Sequence, residues 1–221
     1  MQTGYYMRVL VRMQIGAVAA AAVFLLQAIA QQPVSAPSVR ESHGGLTVSA
    51  EPWTFPQQYK AIFPKKNPLD GGAIAINVSF QNDTDQPLRV DLDRIRLLLY
   101  PPEGDRQKLI PLAAEDVADL VLNPGVKDPT SSRPKVRIPG TKPKRGRGKD
   151  WDAFQAVAQS AAIGTNIIEP HATVHGLLYF DLGRQFDLVG YSRLYIPEVI
   201  VVATGKPLLY FELDLSRGAA R

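Results

Sequence analysis

Glu169, His171 and His175 are the side chains best suited to metal chemistry. On a strand their even spacing places all three on one face, and two imidazoles with a carboxylate form a zinc donor set. Four residues of strand separate the histidines by about 13 Å, however, too far to share one ion without a bulge. Ordinary turn and surface histidines are the better account. Asp181 and Asp187 could be an acid pair, but each closes an apolar run, where a solvated carboxylate is expected. Gly190-Tyr-Ser-Arg-Leu194 lacks the second glycine of a nucleophile elbow, and no phosphate loop, dinucleotide fingerprint or HExxH motif occurs. Cysteine is absent, which removes thiol nucleophiles, thiolate metal sites and disulfides. No catalytic set, metal site or cofactor is therefore expected, and the chain reads as non-enzymatic.

The strongest chemical signal is charge. Nine basic residues fall between Lys127 and Lys149, against the single acid Asp128: Lys127, Arg133, Lys135, Arg137, Lys142, Lys144, Arg145, Arg147 and Lys149. Five prolines from Pro124 to Pro143 favour extended backbone, and Gly140, Gly146 and Gly148 loosen it. The segment 124–149 is expected to be a disordered loop, and a loop this long is either functional or simply solvated. As a functional element it would grip an anionic partner such as lipid phosphates, an acidic glycan or extracellular nucleic acid. No aromatic residue is interleaved between Gly125 and Asp150, so base stacking on nucleic acid has no support. The partner-binding residues expected here are Arg133, Lys135, Arg137, Lys142, Lys144, Arg145, Arg147 and Lys149. The same composition also suits a solvated insertion that offsets an acidic body.

The beginning of the chain carries an address. Arg8 and Arg12, without an acid, precede the uncharged run Ile15–Ile29, and Ala28-Ile29-Ala30 has the small-x-small form of a signal peptidase site. Residues 1–30 read as a secretory signal peptide, because the apolar run is short of the ~20 residues that span a bilayer. An uncleaved anchor is the alternative. Cleavage after Ala30 would remove all three methionines and leave a periplasmic or secreted chain with no further membrane span. Its 221 residues begin with a net charge of +4, so loss of the two arginines and subtraction of the basic loop leave an acidic body. Apolar residues at 45% and charged residues at 21% describe a globular chain.

The elements around these features are mostly strands. Residues 31–44 read as a flexible lead-in. Leu46–Ala50 alternates, Ala73–Phe80 is a clear strand, and the dense turn formers Gln81–Pro87 end it. Leu88–Leu92, Arg94–Tyr100 and Arg106–Pro111 follow, the last two turning at Pro101–Gly104. Helical spacing appears at Ala113–Leu122 and again after Asp150, the expected cap of a helix ended by Gly164. Thr173–Leu182, Tyr191–Ala203 and Leu208–Leu215 are strands again, with Thr204–Pro207 as a hairpin turn and Pro197 at a bulge or edge. Phe55, Tyr59 and Phe63 with Trp53 suggest one or two helical turns, either a lid on the core or the wall of a groove. Seven or eight strands without βαβ alternation point to a mainly β, antiparallel sandwich with two short helices.

The corner Asn82-Asp-Thr-Asp-Gln-Pro-Leu88 and the later run Pro170-His-Ala-Thr173-Val-His-Gly176, followed by Phe180, carry a resemblance. The chain resembles the immunoglobulin-like domains exported by bacteria, of the mycobacterial immunoprotective extracellular antigen type. The resemblance covers roughly 45–215 and is interrupted by an insertion, residues 112–162. It implies a non-enzymatic immunoglobulin-like sandwich over 45–216 and supplies no catalytic residues. The expected function is an exported interaction module that binds an anionic envelope component or protein through the basic loop. A carrier of a small apolar ligand beside Trp53–Phe63, and a hydrolase without an identifiable catalytic set, are the alternatives.

Overall fold

The computed structural model describes residues 38–123 and 148–217. The expected signal peptide and most of the basic loop lie outside the described residues.

The chain opens with a hairpin, β1 (Val39–His43) and β2 (Leu46–Trp53). Its two-residue turn is Gly44-Gly45, both with positive φ (55° and 79°). Such a turn matches strand twist only when both central residues adopt left-handed backbone, which glycine does without a Cβ clash. This corrects the expected lead-in, because residues 39–43 form an edge strand. Its composition is polar, yet Val39, Glu41 and His43 are half-buried on one face. Two short helical turns follow. The first, α1 (Pro56–Tyr59), was expected; the second, α2 (Pro68–Gly71), was not. Asn67 and Asp70 cap the second reciprocally, the Asn67 side chain accepting from the Leu69 N–H and Asp70 accepting from the Asn67 N–H.

β3 (Ala73–Asn82), β4 (Leu88–Val90), β5 (Arg96–Leu99) and β6 (Gln107–Leu109) come next, with a single 3₁₀ turn at Leu92–Arg94 between β4 and β5. Helices α3 (Ala114–Leu122) and α4 (Lys149–Ala161) precede β7 (Ile167–Ile168) and β8 (Thr173–Asp181). Gly148, not Asp150, caps α4, and Asp150 and Asp152 instead sit in its first turn, where the helix dipole favours carboxylates. The last strands are β9 (Ser192–Ile196), β10 (Val199–Val201) and β11 (Phe211–Asp214). The run expected as one strand over Tyr191–Ala203 is therefore two. Pro197 lacks the N–H that would continue the ladder, and the chain changes sheets there.

Among the described residues the protein is mainly β, with three antiparallel sheets. Their orders are β1-β2-β3-β8, β10-β4-β7 and β11-β9-β5-β6. Inward residues from all three, including Val48, Ile76, Phe80, Phe180, Leu88, Leu97, Leu194 and Phe211, form one core. The first sheet has a second buried face. There Ala75, Leu177 and Tyr179 meet Tyr59, Phe63, α3 and α4 in a separate apolar cluster. β3 and β8 are thus buried on both sides where the helices lie over them, which explains their unbroken apolar runs. The insertion is not an appendage but the covering layer of a sheet. Among the described residues, no helix is long and apolar enough to cross a membrane.

Candidate functional site

In sequence the basic segment lies between the two helical arms of the insertion, α3 and α4. α3 buries Ala114, Val117, Ala118 and Val121, and α4 buries Trp151, Phe154 and Ala158. Leu112 joins the arm to the sheet through its N–H, which donates to the Tyr179 carbonyl at 2.8 Å. At the far end the Phe154 ring lies 5.2 Å from Phe63, and the Tyr179 hydroxyl donates to the Ala158 carbonyl at 3.1 Å. The base of the segment is pinned by one carboxylate. Asp119 Oδ1 accepts from the Trp151 indole N–H at 2.9 Å and from the Asn123 amide at 3.2 Å. The two strands of chain leading into and out of residues 124–147 are therefore tied together.

Of the expected partner-binding residues, Lys149 is described and lies exposed on the first turn of α4, so it belongs to a helix and not to a loop. Arg133, Lys135, Arg137, Lys142, Lys144, Arg145 and Arg147 lie outside the described residues, as does Lys127.

The aromatic residues are built into the second core. Tyr59 is fully buried and Phe63 nearly so, while Phe55 stays exposed. The Tyr59 hydroxyl accepts from the Ala75 N–H at 2.9 Å and donates to the Trp53 carbonyl at 2.7 Å, closing the end of the β2–β3 ladder. Burial pushes the Tyr59 and Tyr179 phenols above the usual tyrosine range, so both stay neutral donors.

The histidines are separated by the fold. His171 has left-handed backbone in the turn before β8 and meets Asp85 at 2.8 Å, whereas His175 lies on β8 opposite Ser79. Among the described residues no group of three His, Asp or Glu side chains could hold a metal ion. Asp181 accepts from the Gly183 N–H in a tight turn.

Asn82, one residue of the corner motif in the sequence, is the joint of that corner in the structure. Fully buried, it donates through Nδ2 to the carbonyls of Gln86, Ile168 and Glu169, while Oδ1 accepts from the Thr84 N–H and hydroxyl. The two stretches that carry the resemblance, Asn82–Leu88 and the run after Ile168, are thus bonded to each other. Shallow polar clefts of about 380 and 270 Å³ lie nearby, one lined by Asp91, Asp93, Thr165 and Asn166, the other by Arg89, Asp91, Asn166 and Glu198.

No family model and no curated protein matches the chain. Among solved structures, a functionally unknown protein from Listeria monocytogenes EGD-e is similar at 13% identity, over 81% of this chain and 82% of that one, with a TM-score of 0.37. A likeness that loose carries no argument about function.

Proposed function

We propose that the chain is an exported, non-enzymatic module of immunoglobulin-like type that binds an anionic envelope component or protein through its basic segment. Strand order supports the fold. The sequences β2-β3-β8 and β11-β9-β5-β6 correspond to the A-B-E and G-F-C-C′ orders of immunoglobulin sandwiches. The helical insertion then falls between the C′ and E positions. Export rests on Arg8, Arg12, the uncharged run after them and the Ala28-Ile29-Ala30 site.

The observation that carries the binding role is the clamp at the base of the insertion. Asp119 ties Asn123 to Trp151, and both arms are anchored in a core of their own. The chain on either side of the cationic segment is therefore tied together, and in sequence the segment gathers the positive charge while the remainder of the exported chain is acidic. Many cations on one short segment raise encounter rates with polyanions and bind them in a salt-dependent way.

Co-sedimentation of the exported chain with envelope fractions across a salt series tests this. A variant with the segment's Lys and Arg residues changed to Ser runs beside it. Binding that weakens with salt and vanishes in the variant is the expected result. Equal sedimentation of the two proteins would refute the assignment.

A further inference from the structure

The helices cover the outer face of the first sheet, but the third sheet turns a different kind of surface outward. Leu97 and Leu99 of β5 are in the core, so Arg96, Leu98 and Tyr100 point away from it. Ser192, Leu194 and Ile196 of β9 are buried, which turns Arg193 and Tyr195 outward. The register sets Arg96 beside Tyr195 and Leu98 beside Arg193. One rung further the Tyr100 N–H donates to the Tyr191 carbonyl at 2.8 Å. The guanidinium carbons of Arg106 and Arg193 lie 5.3 and 5.4 Å from the centre of the Tyr100 ring, and the Tyr195 and Tyr210 rings are 5.8 Å apart. Tyr191 and Tyr210 remain about half exposed, at 47% and 53%.

We infer that this outer face is a docking surface for a protein partner whose contact strip carries carboxylates around apolar side chains. Three features select that chemistry. The centre is Leu98 with the tyrosines, and tyrosine with arginine is the composition that dominates binding energy at protein interfaces. The cations Arg106, Lys108 and Arg193 lie around that centre; Arg193 already pairs with Glu212, and the Arg106 guanidinium held against the Tyr100 ring matches a carboxylate in a bidentate way. Tyr100 is already engaged by two guanidiniums and Tyr195 by Tyr210, so few ring faces are left for bases or sugars to stack on. Glu212, which pairs with Arg193 at 2.7 Å, marks a negative margin along β11 that orients the partner. None of the residues of this surface belongs to the basic segment, and the inference does not depend on that segment.

The test is fluorescence anisotropy of a labelled peptide alternating Glu and Leu, titrated with the full exported chain. Its counterpart with Gln in place of Glu, heparin and oligo-dT are the competing probes. The Glu–Leu peptide is expected to bind, with the Gln counterpart about tenfold weaker. Arg106→Gln combined with Arg193→Gln should weaken binding by about tenfold while leaving the thermal melt unchanged, since both side chains are exposed. The Ser-substituted basic segment should bind the peptide like the wild type, which separates this surface from the envelope-binding role. No binding of the Glu–Leu peptide, or binding retained by the double variant, overturns the inference. So does heparin or oligo-dT binding that the double variant abolishes, which would assign a polyanion instead. A dimer in light scattering that the same variant dissociates would put a second copy of the chain on this face.

Discussion

Replacing Tyr59 by Phe isolates one hydroxyl that serves two strands. That oxygen accepts the Ala75 N–H and donates to the Trp53 carbonyl, at the point where β2 ends and cannot continue the ladder itself. Phe keeps the ring's packing against Trp53 and Phe63 but leaves a buried N–H without a partner. An unsatisfied buried donor costs about 1–3 kcal/mol, and losing the second bond raises the expected total to about 2–3 kcal/mol. Against a total stability on the order of 5–15 kcal/mol this is readily measured. Urea unfolding should show a lower midpoint with an unchanged slope, and Tyr210→Phe, whose hydroxyl is exposed, should show almost no change. The same residue shapes the alkaline limb. A folded-state pKa raised by burial means that the folded protein binds more protons, so its stability is intact below about pH 10 and falls as pH rises through the folded value. Each phenol contributes about 1.4 kcal/mol per pH unit to that fall, so Tyr59→Phe should roughly halve the part due to Tyr59 and Tyr179. A loss below about 0.5 kcal/mol at neutral pH, or an alkaline slope identical to the wild type, would refute the bridging role.

Asn82→Ala should cost about 3 kcal/mol or more in urea unfolding, because it strips partners from the Ile168 and Glu169 carbonyls and the Thr84 N–H together. Asn82→Asp should be at least as damaging at neutral pH and partly recover in acid, since a carboxylate would face three carbonyls; stability measured at two pH values checks the sign. Gly176→Ala should destabilise by about 1–3 kcal/mol, because its Cβ would lie 2.7 Å from the Ile163 backbone nitrogen where the chain leaves α4; a thermal melt reads the loss. Trp151→Phe shrinks the buried ring and removes the donor to Asp119, so it should lower stability by about 2 kcal/mol in a thermal melt and, by untying α3 from α4, weaken envelope sedimentation at a given salt.

Local chemistry was legible from the residues alone. The alternation of Leu46–Ala50, the apolar run after Ala73, and the turn formers before Leu88 identify strands and their ends because side-chain period and backbone preference are properties of short segments. The helical spacing of Ala113–Leu122, the absence of a nucleophile motif and the concentration of cations in Lys127–Lys149 are local in the same sense. The hairpin at Gly44-Gly45 was missed, although two glycines before an alternating strand are a tight-turn signal. What concealed β1 was its polar composition.

Tertiary structure decided how those pieces meet. Nothing local to Ser192–Val201 says that its halves join different sheets; that follows from where β4 and β5 lie and from the ladder that Pro197 interrupts. Nothing local to Tyr59 or Phe63 distinguishes a groove wall from a filled interior, because the distinction depends on α3 and α4, distant in sequence, settling over the same face of β3 and β8. The separation of His171 from His175 and the assembly of Tyr100, Arg106 and Arg193 likewise depend on register and on side chains brought together from separate segments. Short-range patterns specify elements because each residue's dihedral preference acts on its neighbours. Which faces become core and which become surface is set by apolar burial summed over the whole chain, and that sum exists only once the strands are paired.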